Sequence, residues 1–280
     1  MRIIKSELIS NEVENMCIDA NCNLNCDIED AIKKAIEREK SSVGKDVLKN
    51  LLDNAKIAKE KEIPICQDTG MAVFFVNIGK DVFVEGDSIT DAINKGVASG
   101  YTKGYLRKSV VKDPIERVNT NDNTPAVIHY DFFEGDKIEI IFAPKGFGSE
   151  NKSSLKMLNP ADGVEGIVDF VLETVKIAGA NPCPPMVIGI GIGGTMEKAA
   201  ILSKKALTRD IDESNENPFY AELEKMLLEK INKLGIGPQG YGGTTTALGV
   251  NIEVFPTHIA GLPVAVNISC HATRHSKKTI

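Results

Sequence analysis

Residues 181–195 read NPCPPMVIGIGIGGT, and the reading of this stretch decides the fold. Pro182, Pro184 and Pro185 lock a turn around Cys183, because each fixes its own φ and supplies no N–H. MVIGIGI behind them is apolar and rich in isoleucine, which predicts a strand. GIGIGG at 189–194 matches the glycine fingerprint of a dinucleotide-binding unit, since it follows a strand and precedes a helix. Asp210 and Asp212 lie near the distance expected of the ribose-binding acid. That unit also needs a second parallel strand ending at the acid, and TRDIDESNENP (208–218) is polar and turn-like. The competing reading is a tight turn with close backbone packing, which glycine alone permits.

Working outward, helices are expected over roughly 195–207 and 217–234, with strands near 247–255 and 263–268. Pro160 suits the first turn of a helix running to about Ala178. Toward the N-terminus, apolar residues at three- and four-residue spacing predict helices over 27–40, with Asp27 as N-cap, and over 45–60. MAVFFVNIG and DVFVEGD read as strands, and SITDAINKGVASGY as a helix capped by Ser88. AVIHYDFF and KIEIIFAP, joined by EGD, predict a hairpin. Polar or glycine-rich loops fill 107–125, PKGFGSENKSS and GIGPQGYGGTTT, and a basic tail, RHSKK, closes the pattern. The expected fold is α/β, mixed helices and sheet, with catalytic residues on long loops. No repeat, linker or boundary divides residues 1–280, so a single domain is expected.

The 280 residues are 42% apolar and 26% charged, enough for a substantial core, and the net charge is −6. An acidic chain without a clustered basic surface argues against nucleic-acid binding. No stretch approaches the roughly 18 continuous apolar residues of a membrane helix, and the first ten residues lack the apolar centre of a secretory signal. No nucleic-acid or membrane partner is expected, and a cytoplasmic location is.

Six cysteines stand at 17, 22, 26, 66, 183 and 270. Cys66 (ICQDTG), Cys183 (NPCPP) and Cys270 (ISCHATRH) share turn-rich surroundings at strand ends. Each could be a small buried hydrophobe. As a set they read as metal ligands. Thiolates favour zinc, copper(I) or iron–sulfur centres, and no short-spaced pair supports a structural zinc site. Three separated cysteines suit a 4Fe–4S cluster with one iron lacking a protein thiolate, an iron able to act as a Lewis acid. The rival trio, Cys17, Cys22 and Cys26 (CIDANCNLNC), has more local spacing but no proton-transfer partner nearby in sequence.

ICQDTG, LRKSVV with DPIERVNTNDNTPAVIH, PKGFGSENKS, NPCPP, GIGIGGT and PTHIAGLPVAVNISCHATRH together resemble the α subunit of class I, iron–sulfur-dependent fumarate hydratases. The related L-tartrate dehydratases share the same plan. The likeness runs from about residue 30 to the end. It implies a 4Fe–4S cluster on Cys66, Cys183 and Cys270, with substrate at the fourth iron. It implies that Gln67 and Asp68 contact a dicarboxylate and that Asp68 transfers a proton. It also implies that His258 supports this carboxylate, that Arg107 binds a substrate carboxylate, and that the Gly148 backbone approaches the substrate. The chemistry of these residues agrees: a guanidinium fork grips a carboxylate and a glycine admits close approach. Taken singly, Arg107 could be a surface ion pair, His258 a core histidine and Gly148 a turn. The chain ends soon after Cys270, as in the two-subunit form, so a β subunit carrying the catalytic base is expected, along with α–α self-association. The implied reaction is reversible hydration of fumarate to malate. Its alternatives are tartrate dehydration, or a non-catalytic iron–sulfur scaffold or sensor. His271 and His275 receive no role.

Overall fold

The computed structural model describes residues 1–280. In chain order the elements are β1 (Arg2–Lys5), α1 (Ser6–Cys22), α2 (Cys26–Arg38), α3 (Ser42–Lys61), β2 (Met71–Gly79), β3 (Val82–Glu85), α4 (Ile89–Lys103), β4 (Val127–Phe133) and β5 (Ile138–Lys145). They continue with α5 (Phe147–Glu150), β6 (Ser154–Leu158), α6 (Gly163–Ala178), β7 (Met186–Gly193), α7 (Met196–Ala206), α8 (Pro218–Asn232), β8 (Ala247–Phe255), β9 (Leu262–Ser269) and β10 (Ser276–Thr279). The fold is mixed α/β, as the pattern predicts. The chain forms two compact units, one of Met1–Leu24, Ala55–Phe147 and Arg274–Ile280, the other of Asn25–Asn54 and Gly148–Thr273.

In the first unit the main sheet has the order β10-β5-β2-β4, and β1 pairs with β3 beside it. β2 runs parallel to β4 and antiparallel to β5. The predicted β4–β5 hairpin therefore does not form. β2 lies between the two strands, and the link between them passes over the end of β2. There the Lys80 and Asp81 N–H groups donate to the Phe133 and Gly135 carbonyls, 2.9 Å each. β2, buried at its centre, takes the middle place because a strand apolar on both faces gains most from two neighbours. The polar tail is not loose, because β10 pairs antiparallel with β5. An edge strand needs only backbone groups to pair, so an apolar pattern is not required. α4 starts where expected, with Ser88 Oγ accepting the Asp91 N–H at 3.1 Å. It packs against α1 through Gly96 and Gly100, where a Cβ would lie 2.5 Å from the Ser10 carbonyl oxygen and 2.8 Å from Cys17 Cβ. Phe74, Ile93, Val97, Ile138, Ile140 and Phe142 fill the core beneath.

In the second unit the order is β6-β9-β7-β8, and β7 is again parallel to one neighbour, β8, and antiparallel to the other, β9. The central strand explains the glycine pattern. Ile188, Ile190 and Ile192 face a core shared with Val171, Leu223 and Leu227 of α6 and α8. The alternating residues face α7. A Cβ on Gly189 would lie 2.1 Å from the Ser203 carbonyl oxygen, and one on Gly191 2.0 Å from that of Ala199. The glycines are there so that α7 can lie on the sheet, which answers the dinucleotide reading with close packing. α2 begins at Cys26, so Asp27 is inside the helix and not its cap; its carboxylate accepts the Ile211 N–H at 2.9 Å.

Candidate active-site loops

The two units use their sheets in the same way. In each, the loop entering the central strand meets the loop leaving the antiparallel neighbour. Met71 at the start of β2 pairs with Lys145 at the end of β5, and Val187 near the start of β7 pairs with Ser269 at the end of β9. The predicted cysteines occupy these positions: Cys66 before β2, Cys183 before β7 and Cys270 after β9.

In the first unit, ICQDTG is fixed from several sides. Tyr101 Oη donates to the Thr69 and Gly70 carbonyls at 2.9 and 3.1 Å. Burial pushes the Tyr101 hydroxyl far up, so it remains a donor. Asn123 Nδ2 donates to the Gly70 carbonyl at 3.2 Å, and Asn123 Oδ1 accepts the Ser109 N–H at 2.7 Å. Buried Arg274 donates to the Asp68 carbonyl at 3.1 Å and to Asn21 Oδ1. Gly70 has φ +77°, and a Cβ there would lie 2.7 Å from the Lys145 N, so no other residue fits this turn. The Asp68 carboxylate accepts the Gly70 N–H through Oδ1 and the Phe147 N–H through Oδ2, at 3.0 and 2.9 Å. The Asp68 N–H donates to Cys66 Sγ at 3.4 Å. Thr69 Oγ1 donates to the Arg107 carbonyl at 3.0 Å, which fixes the backbone from which the exposed Arg107 side chain extends. Gln67 is exposed and lies 3.5 Å from Cys66 Sγ. Cys66, Gln67, Asp68 and Arg107 are thus assembled on one rigid loop pair. Tyr101, Asn123 and Arg274, which hold that pair, were not visible in sequence; only the position of Arg274, four residues after Cys270, was a signal.

In the second unit, Cys183 is exposed and has φ +54° in the proline turn. Its carbonyl accepts the His271 N–H at 3.3 Å, with His271 Nδ1 at 3.0 Å. Cys270 is half-buried, and its carbonyl accepts the Thr273 N–H and Oγ1–H. The fold therefore brings the Cys183 and Cys270 loops together. Gly148 is exposed, and a Cβ built on it would meet nothing within 4 Å, which leaves open space beside its backbone. His258 is placed elsewhere. It sits in the 256–261 link, where the Gly194 N–H donates to the Pro256 carbonyl beyond the far end of β7. β7 has 8 residues, so at ~3.3 Å per residue His258 is separated from the cysteine end of this unit by roughly 20 Å. Its Nδ1 accepts the Ala260 N–H at 3.2 Å.

A family model described as fumarate hydratase (Fumerase) matches residues 10–279. The chain belongs to the fumarate hydratase family. Within it, the match is to the class I, α-subunit type. A Methanocaldococcus jannaschii protein named "Putative L(+)-tartrate dehydratase subunit alpha" is 46% identical, over 97% of both chains. L(+)-tartrate dehydratase subunit alpha of Escherichia coli K12 is 36% identical, over 89% of this chain and 82% of its own. No helix of this family member is long and apolar enough to cross a membrane.

The class I family implies a 4Fe–4S cluster, and the cysteines sort accordingly. Cys17 and Cys22 are buried on α1, and burial pushes both thiols up, which disfavours ligation. Cys66, Cys183 and Cys270 form no disulfide, are exposed or half-buried, and lie on loops that the fold has fixed; Cys26, at the start of α2, is exposed as well. No three His, Cys, Asp or Glu side chains come close enough to hold one metal ion. A cluster makes no such demand, since each thiolate holds its own iron.

Proposed function

We propose that the chain is the α subunit of a 4Fe–4S hydro-lyase acting on a small four-carbon dicarboxylate, with L(+)-tartrate as first candidate substrate. The observation that carries this reading is the identity, over nearly the whole chain, to proteins named as L(+)-tartrate dehydratase α subunits. Reversible hydration of fumarate to malate is the second reading, favoured by the name of the matching family.

Cys66, Cys183 and Cys270 would hold the cluster, which when bound supplies a Lewis-acidic iron for a substrate hydroxyl and carboxylate. Arg107 grips a carboxylate through its guanidinium fork. Gln67 orients the substrate, and the open backbone at Gly148 lies alongside it. Asp68 moves a proton through its carboxylate oxygens, held in place by the Gly70 and Phe147 N–H groups. Loss of hydroxide from one carbon and a proton from its neighbour turns tartrate into the enol of oxaloacetate, with water as the second product. The same removal from malate gives fumarate. A β subunit supplies the remaining base and cations. His258, far from the cysteine end of its unit, is left out of this set.

The test is anaerobic reconstitution of the chain with its β partner, followed by turnover assays on L-tartrate, malate and fumarate. Tartrate turnover with the highest kcat/KM supports the first reading. A preference for fumarate and malate replaces it with the second. A fully loaded complex inactive on all three would overturn both.

A further inference from the structure

We infer that Gln239 is a positioning residue that clamps the Cys183 turn to the Cys270 loop. This rests on the proposal that those cysteines hold a cluster. Gln239 belongs to the glycine-rich loop 235–243, to which no role has been given above. Its main-chain N–H and its side-chain Nε2 both donate to the Pro184 carbonyl, at 2.7 and 2.8 Å. The same Nε2 lies 3.2 Å from Nδ1 of His271, the residue directly after Cys270. His271 in turn holds the Cys183 carbonyl through its main-chain N–H and lies against it with Nδ1. One nitrogen cannot both accept from Gln239 and donate to Cys183, so the tautomer selects one partner. Either choice keeps the ring in place, because the main-chain bond is independent of it.

The surroundings show that this loop is built for its place. Gln239 has φ +50°, a conformation in which a glycine or asparagine is the ordinary residue. Such strain persists where the surrounding structure over-determines it, often at functional sites. A Cβ on the next residue, Gly240, would lie 2.3 Å from Ala180 Cβ, and the Ala180 carbonyl accepts the Cys183 N–H at 3.0 Å. The far end of the loop is pinned to Glu39, whose buried carboxylate accepts the Thr244 N–H at 2.9 Å. A Cβ on Gly243 would lie 2.7 Å from Glu39 Oε1. The loop is therefore held at one end by Glu39 and, through Gln239, against the backbones of both cysteine loops.

The test compares wild type, Gln239→Met (similar length, no hydrogen bond), Gln239→Asn and His271→Ala. Amide hydrogen exchange on the chain without iron reads the clamp directly. The His271 and Cys183 amides should exchange about tenfold faster in Gln239→Met, with the strands unchanged. After anaerobic loading with iron and sulfide, release of iron to a chelator should be about tenfold faster in Gln239→Met and His271→Ala. The double variant should be no worse than either single one, because both break the same clamp. Unchanged exchange at both amides, or wild-type iron release from a normally folded Gln239→Met chain, overturns the inference. Should wild type take up no iron, the cluster reading fails, and the exchange comparison still decides the clamp.

Discussion

At the scale of single residues, two carboxylates have opposite tasks. Asp68 faces the reachable side of its loop, and Glu39 is sealed in. Asp68→Asn keeps one carbonyl acceptor for the Gly70 or Phe147 N–H and removes the titrating group. In the assembled enzyme kcat should fall at least about a hundredfold, the usual scale for losing a general acid or base, with iron content unchanged. Near-normal turnover at full iron occupancy would remove Asp68 from proton transfer. Burial by itself would push the Glu39 carboxyl up. The Ser41 and Thr244 N–H groups, the Thr245 hydroxyl and the Lys40 N–H outweigh it and hold the group at about 2, below its ordinary 4.5. The resulting stability, about 3 kcal/mol, is complete above pH 4.5 and is lost as the pH falls through 2. Glu39→Gln should therefore melt well below wild type at neutral pH, and the gap should close between about pH 4.5 and 2. Melting curves across that range check it, and a gap independent of pH would contradict it.

At the scale of elements, β7 is a strand with two incompatible-looking faces, isoleucine toward α6 and α8 and glycine toward α7. Gly191→Ala would place a methyl 2.0 Å from the Ala199 carbonyl oxygen. A helix backbone cannot yield as a side-chain tip can, so α7 must lift from the sheet. The expected cost is about 3 kcal/mol, at the upper end for overpacking, and the fall in Tm roughly 10 °C. Ile190→Val, on the opposite face, removes one methylene and should cost only about 1 kcal/mol. Equal effects of the two would mean that α7 does not depend on this contact. Element identity was largely legible: the Ser88 cap, the Pro160 turn and the span of β8 follow from local chemistry. Pairing was not. DFFEGDK carries hairpin-like turn chemistry, yet β2 takes the place between β4 and β5, because burial of β2 on both faces outweighs the local turn.

At the scale of the molecule, the family relationship carries the prediction. The relatives named above are named as α subunits, and the site proposed on this chain draws its proton-transfer group from Asp68 alone. The chain loaded with its cluster should show no turnover of L-tartrate, malate or fumarate, and adding the β subunit should restore it. A turnover assay on the loaded chain with and without β decides this, and full activity from the chain alone would place the base on it. By itself the sequence determined the α/β class, most helices and strands and the family, because these depend on local propensity or on long ordered strings. Only the tertiary structure decided that each unit is assembled from separated segments and that its central strand is flanked by one parallel and one antiparallel neighbour. It alone showed that Tyr101, Asn123, Arg274 and Gln239 hold the loops, and that His258 stands a strand's length from Cys183 and Cys270. Those facts depend on backbone hydrogen bonds and packing between residues far apart in the chain, which residue type and spacing do not encode.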